Sequence, residues 1–546
     1  MYEVKIKDSY FAAQKDMKLI KKTIGEFLKE VATTNPNNQA LVEIDQNNKA
    51  NRNWTYEELY NNSLKLAIAL SGQFKKGSRV VIWSPNSPEW VLLEYAAALS
   101  GIIIVTANPS LQKKELKYII EQSQSEAVFY VNSFRGNNMK KIVLDAIEGN
   151  EKIKKIVNLE NEGELYFKNH TNNNLPIVYP SDPAQIQYTS GTTGFPKGAV
   201  LTHSGLINNA FFYSNRCEVS QKSSWINIMP LFHTSGCGMV TLGCLTSKCR
   251  MILTSFFDPE KILNHIKDFD VDIILGVPTM ILSILEQQEK QKHKINSLNL
   301  VSCGGSNVAP EMVKRVQKEF NCKFSTLYGQ TEYCPVITQH HNNDSIEDIC
   351  NTIGQPISHT EVSIRSINNN KICPSNTVGE ICVRGPSTML KYFANKEATS
   401  ETIDKNNWLH TGDLGRMDNR GYVTITGRIK EMIIRGGENH FPAEIENALR
   451  EHKNISDVAV VGMPDKKWGE LKVAFIKFED SFQANKDEMI KFFRSRMSPQ
   501  KTPNLWFSID KFPLTGSGKI QKFILKNNYL KNKKKDKKKK KKNKCN

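Results

Sequence analysis

Between about residues 24 and 319 the chain alternates two hydrophobic patterns, and that alternation limits its possible folds more than any other feature. Residues 56–70 and 114–122 carry apolar side chains at helical spacing, whereas 79–83, 101–106, 127–131 and 272–277 are short apolar runs rich in valine and isoleucine. Helices that alternate with fully apolar strands predict α/β layers built on mostly parallel sheets. After residue 353 the pattern changes to short strands and turns, as at 379–384 and 421–427, so a β-rich part closes a large first domain. A second α/β unit begins near Lys430, with a helix at 442–451 and strands at 458–461 and 473–478. The expected division is a leader over 1–23, a large domain over 24–429, a small mobile domain over 430–530 and a disordered polylysine tail over 531–546.

The net charge of +18 needs to be divided before it is interpreted, because the last sixteen residues hold eleven lysines and one aspartate. They supply +10, and the +8 left on the body suits an enzyme for anionic substrates and equally serves solubility alone. Such a tail reads as a solvated end, or as a polybasic segment for an anionic membrane surface. Eleven cysteines without any C-x-x-C pair give no zinc spacing and no disulfide framework, which fits a reducing compartment. The longest apolar stretch, residues 90–107, is interrupted by Glu94 and divided at Ser100-Gly101, which predicts a buried helix followed by a buried strand rather than a membrane span. Glu3, Asp8 and Asp16 argue against an acid-poor transit peptide, so the expected location is intracellular, cytoplasmic or mitochondrial.

The segment Tyr188-Thr-Ser-Gly-Thr-Thr-Gly-Phe-Pro-Lys-Gly198 follows a strand-like stretch, Ala184-Gln-Ile-Gln-Tyr. Glycines for tight turns, hydroxyls for hydrogen bonds and the ammonium of Lys197 can together wrap phosphate oxygens. In isolation the same composition also makes a surface turn. The usual G-x-x-x-x-G-K-[ST] nucleotide loop is not met, because Lys197 lies between Pro196 and Gly198.

In order and content the segment resembles the signature loop of the adenylate-forming superfamily, which includes acyl-CoA synthetases, aryl-CoA ligases, luciferases and peptide-synthetase adenylation domains. The resemblance spans about residues 24 to 525 and is strongest toward medium-chain and related fatty acyl-CoA synthetases. It implies ATP, Mg2+ and coenzyme A as reactants and cofactor, and an acyl-adenylate as intermediate. Thr189, Ser190, Gly191, Thr192, Thr193, Gly194 and Lys197 would hold the β- and γ-phosphates. Gly304 and Gly305, in Ser302-Cys-Gly-Gly-Ser, would let backbone approach the adenine, and Tyr328 would offer it a flat face. Thr331 would meet the α-phosphate, and Glu332 would ligate magnesium with a hard oxygen. Asp413, in His410-Thr-Gly-Asp, would take the ribose hydroxyls, with Arg428 on ribose or phosphate.

Lys519, in Gly516-Ser-Gly-Lys-Ile, would reach the carboxylate and the α-phosphate during adenylation. For thioester formation the resemblance implies a hinge at Lys430 and a pantetheine passage beside Gly436 and Gly437, with His233 near the acyl group. Glu431, His440 and Phe441 depart from the residues most often found at these positions in the family. The small apolar run 236–245 suits an aliphatic chain. Three other readings are an aryl, 4-coumarate-like ligase, discharge onto a separate carrier protein, and a non-enzymatic homologue that binds membrane or nucleic acid through its tail.

Overall fold

The apolar runs of the first half assemble into two largely parallel sheets. The computed structural model describes residues 1–44, 50–161, 174–189, 196–305, 308–435, 438–465, 467–479, 485–514 and 520–531. One sheet has the order Lys391–Tyr392, Lys197–Thr202, Pro183–Thr189, Ile103–Ala107, Arg79–Trp83, Ala127–Tyr130, Lys155–Asn158. Its last five strands are parallel to one another, and Pro183–Thr189 turns back antiparallel on Lys197–Thr202. The other sheet is parallel through six strands, in the order Lys323–Gly329, Leu300–Gly304, Ile273–Gly276, Ser224–Asn227, Arg250–Leu253 and Gln39–Ile44. Antiparallel strands Val336–Gln339 and Ala50–Thr55 flank it.

The helices between these strands start where the sequence supplies caps. Tyr56–Ser71 opens on a capping box in which Thr55 and Glu58 each accept the other's backbone N–H, satisfying two otherwise orphaned donors. Pro88–Ser100 starts on the Ser87 hydroxyl with proline at its first position, and it ends at Gly101, whose φ of +66° only glycine adopts without strain. That left-handed cap uses the two residues expected to open the next strand, which is therefore Ile103–Ala107. All of Pro88–Ser100 except Glu89 and Leu99 is buried, so residues 90–107 are the expected core helix and strand. Among the described residues no helix is long and apolar enough to cross a membrane.

By internal packing the chain divides into two units. The first comprises Met1–Ser363, Cys382–Thr411 and Met417–Val423. The second comprises Ile364–Ile381, Gly412–Arg416 and the described residues of Thr424–Asn546. Residues 1–23 are packed into the first unit. Tyr10–Phe11 pairs with Val362 and Ser363, and the ring of Tyr2 lies 5.0 Å from the buried Arg216 guanidinium, which donates to the carbonyls of Gln339, Gln355 and Pro356.

In the second unit a sheet runs Glu438–His440, Ile433–Arg435, Gly469–Phe478, Ile455–Asp465, with Leu505–Ser508 parallel to Gly469–Phe478. The helices Pro442–Arg450 and Lys486–Arg494 bring Ile445, Leu449 and Phe493 into a core with Val458, Val460 and Ile476. Residues 532–546, and with them the expected disorder of the lysine tail and its contact with an anionic surface, lie outside the described residues.

Candidate active site

In the first unit the expected phosphate loop springs from a hairpin. Pro183–Thr189 and Lys197–Thr202 pair in a register that sets Thr189 opposite Lys197 and Tyr188 opposite Gly198. Residues 190–195, including Ser190, Gly191, Thr192, Thr193 and Gly194, lie outside the described residues. Their two ends are held side by side, with the Thr189 hydroxyl 3.4 Å from the Lys197 carbonyl. A Cβ at Gly198 would sit 2.7 Å from Ile186 Cγ2 and 3.2 Å from the Tyr188 ring, so the close approach requires glycine. Tyr118 donates to the Pro196 carbonyl at 2.9 Å, and Tyr188 donates to the side chain of Gln122, which pins the stem to the helix Lys113–Gln122.

Lys197, Tyr392 and Glu332 meet beside this stem. Lys197 Nζ lies 5.0 Å from the centroid of the Tyr392 ring, within cation–π range, and the Tyr392 hydroxyl donates to Glu332 Oε1 at 2.7 Å. Burial pushes the Tyr392 phenol far up and the neighbouring Glu332 carboxylate adds to it, so the hydroxyl remains a donor. Tyr392 was not visible in sequence as a site residue. It is separated from Lys197 and Glu332 along the chain and comes to them as the two-residue edge strand Lys391–Tyr392, paired with Ala199 and Val200.

Thr331 and Glu332 sit on the 3-10 turn Thr331–Tyr333, both 9% exposed. The buried Asn209 holds this turn from below, donating to the carbonyls of Tyr333 at 3.2 Å and Val336 at 2.9 Å and accepting from Val336 N–H at 3.0 Å. With Oε1 taken by Tyr392, Glu332 keeps Oε2 as a hard oxygen donor. Mg2+ commonly binds through one or two carboxylates while phosphates and water complete its shell, so the residues present fit that ion.

Gly304 and Tyr328 lie at the carboxyl ends of neighbouring parallel strands, where open α/β sheets bind ligands. A Cβ at Gly304 would meet Leu327 Cδ1 at 2.7 Å, and Gly305 has φ +88°, so glycine is required at both positions. Tyr328 is 8% exposed and runs directly into the turn that carries Thr331 and Glu332. The fold thus gathers Thr189, Lys197, Thr331 and Glu332 with Tyr328, Gly304 and Gly305 on strand ends and short turns of one unit.

His233 lies on the segment after Ser224–Asn227. Its Nδ1 accepts from Ser235 N–H at 3.1 Å, so a neutral ring carries its proton on Nε2. A π-helix, Ser235–Thr241, follows, and a Cβ on its Gly236 would fall on the Pro230 carbonyl. Such irregular helical turns are frequent at functional sites. Cys237 of this π-helix receives a hydrogen bond from Gln187 at 3.1 Å, Gln187 donates to Gln185 at 2.7 Å, and Gln185 donates to Glu94 at 2.8 Å. All three polar side chains are at most 2% exposed. Burial holds the Glu94 carboxyl well above the usual carboxylate range, which favours its neutral form. This network ties the π-helix to the strand that carries the phosphate-loop stem.

In the second unit Arg428 Nε lies 2.8 Å from Asp413 Oδ1, which brings together the two residues expected to meet ribose. Asp413 is 5% exposed. Lys430 is exposed on the 3-10 turn Ile429–Glu431. Gly436, Gly437 and Lys519 lie outside the described residues. The ends of the segment that holds Lys519 are paired through a bridge between Leu514 and Ile520.

Known proteins similar to this one cover most of the chain. The family profile described as AMP-binding enzyme matches residues 28–393, and that of the AMP-binding enzyme C-terminal domain matches 444–519. The human mitochondrial medium-chain acyl-CoA ligase ACSF2 is 33% identical over 539 residues, covering 92% of this chain and 87% of its own. The o-succinylbenzoate CoA synthetase MenE of Bacillus subtilis, in complex with the acyl-adenylate OSB-AMP, superposes with a TM-score of 0.80 at 27% identity, covering 93% of this chain and 99% of its own. A Mycobacterium tuberculosis fatty acyl CoA synthetase gives 0.74 at 27% identity, covering 93% of this chain and 98% of its own.

Proposed function

The chain belongs to the AMP-binding enzyme family, and from that premise we propose that the acid it activates is a medium-chain fatty acid. The reaction class is that of an AMP-forming acid–thiol ligase, which converts a carboxylic acid to its acyl-adenylate with ATP and Mg2+ and transfers the acyl group to coenzyme A. The observation that carries the choice of acid is the full-length likeness to the medium-chain ligase. The buried, small-residue π-helix beside His233 agrees with an aliphatic chain rather than a polar one.

The roles we assign follow from the chemistry. A carboxylate is a poor electrophile until one oxygen becomes a better leaving group, which attack on the α-phosphorus of ATP achieves with release of pyrophosphate. Negative charge grows on the pentacoordinate phosphorus and on the pyrophosphate, so placed charges do most of the work. Lys197 and the loop from Thr189 to Gly194 serve the β- and γ-phosphates, Thr331 the α-phosphate, and Lys519 the carboxylate and α-phosphate. Glu332 would hold Mg2+, which supplies positive charge to the phosphates. Tyr392 orients Glu332 and keeps the Lys197 ammonium beside it. Gly304, Gly305 and Tyr328 take the adenine, and Asp413 with Arg428 the ribose.

In the second step a thiol, with an ordinary pKa of about 8.5, attacks the acyl carbonyl and expels AMP. Lys430 is the residue we assign as hinge, Gly436 and Gly437 as the pantetheine passage, and His233 as the neighbour of the acyl group. The domain cut at Lys430 and a cytoplasmic or mitochondrial location belong to the same reading. Its test is a panel of saturated fatty acids of increasing length, with 4-coumarate and o-succinylbenzoate, incubated with ATP and coenzyme A and read as AMP release. Highest kcat/KM for a medium-chain acid supports the reading, and highest kcat/KM for an aryl acid replaces it.

A further inference from the structure

Lys522 opens the helix at 522–531, and its ammonium meets two carboxylates, Glu431 Oε2 at 2.6 Å and Glu446 Oε1 at 2.8 Å. This is not a surface pair. The Lys522 side chain is 21% exposed and that of Glu446 only 8%, so solvent screening is reduced. Glu446 also accepts Val460 N–H at 2.7 Å, which fixes its carboxylate to the sheet of the second unit. Glu431 closes the turn Ile429–Glu431 and is the immediate neighbour of Lys430. Burial opposes the charge on Lys522, but Glu446 and Glu431 outweigh it and hold the ammonium above the ordinary lysine range.

The position of this cation along the chain gives the arrangement its meaning. Leu514 and Ile520 pair across the base of the segment that holds Lys519, and Gln521 reinforces that base by donating from its backbone to Pro513 O at 2.8 Å and from its side chain to Leu514 O at 2.9 Å. Lys522 is the next residue.

We propose that Lys522 is a positioning residue, tying the base of the 514–520 segment to the turn at Lys430 through Glu431 and to the sheet through Glu446. The inference rests on the reading of Lys519 as the lysine of adenylation. The clamp makes turn, sheet and loop base one body, so that Lys519 is delivered in register. Loosening it costs the half-reaction that needs Lys519 and spares the one that does not.

The experiment measures the half-reactions separately in the full-length protein, as acid-dependent exchange of labelled pyrophosphate into ATP and as thioester formation from supplied acyl-AMP. Lys522→Gln should lower exchange by about ten- to a hundred-fold, the scale of a misplacement of about 1 Å, and leave thioester formation within about three-fold. Lys522→Arg should recover most of the exchange. Glu431→Gln, on a more exposed side chain, should show a smaller loss with the same bias, and it keeps the inference testable if Lys522→Gln fails to fold. Equal loss in both half-reactions at an unchanged melting temperature, or no loss in either, overturns the proposal. Undiminished exchange in Lys519→Ala alongside a loss in Lys522→Gln contradicts the role of Lys519 and not the clamp.

Discussion

The Tyr392 hydroxyl donates a 2.7 Å hydrogen bond to Oε1 of Glu332, and the same ring faces the ammonium of Lys197. One aromatic side chain thus fixes the carboxylate assigned to magnesium and the lysine assigned to phosphate. It does so from an edge strand that shows no motif of its own.

Tyr392→Phe therefore separates the two contacts, since it removes the hydroxyl and keeps the ring. Loss of a hydrogen bond to a charged group is worth about 1.5 to 3 kcal/mol, or about ten- to a hundred-fold in kcat/KM if it is fully expressed in the transition state. The expected result is a loss of that order in acid-dependent pyrophosphate release, with a raised Mg2+ requirement. Tyr392→Leu, which also removes the cation–π contact, should lose more and raise the KM for ATP. Steady-state kinetics over a magnesium titration checks both.

Asn209→Ala removes both donations and the one acceptance that hold the Thr331–Tyr333 turn, and leaves Val336 N–H and two carbonyls buried without them. We expect at least about 2 kcal/mol of destabilisation, visible as a melting point several degrees lower. The kcat should also fall at temperatures where the variant is still folded. An unchanged kcat in the folded variant would show that the turn keeps its place without this asparagine.

Glu94 provides a pH test. Its folded-state pKa is raised by burial, so in the native protein it keeps a proton that the unfolded chain releases above its ordinary value of 4.5. Stability linked to this group is fully present below that value and is lost as pH rises toward the folded pKa. Glu94→Gln preserves shape and neutrality and removes the linkage. Its melting point should match the wild type near pH 4.5 and exceed it increasingly toward pH 7 and above, as followed by thermal melts across pH. A constant difference at all pH values would mean that Glu94 is not the neutral core carboxyl described above.

The parallel sheets were legible because strands covered on both faces are continuous apolar runs, and 79–83 is found as Arg79–Trp83 without change. Boundaries failed where local chemistry intervened. The Gly101 cap delayed one strand, and the expected strands at 458–461 and 473–478 extend into the longer hairpin Ile455–Asp465 and Gly469–Phe478, whose polar ends give no apolar signal. The alternation of Gln185 and Gln187 with apolar neighbours suggests a half-exposed strand, yet both glutamines are buried and satisfied by Glu94 and Cys237. Lys197 and Glu332 could be proposed as site residues because each lies in a short contiguous motif on which the family resemblance rests. Tyr392 and Asn209 could not, because their partners are distant in the chain and become neighbours only through the fold.

The most direct test of the whole account is acid-dependent exchange of labelled pyrophosphate into ATP in the absence of coenzyme A. We predict Mg2+-dependent exchange with a medium-chain fatty acid, replaced by release of AMP and formation of the acyl thioester when coenzyme A is added. Absence of exchange with every acid tried, or exchange confined to aryl acids, would contradict it.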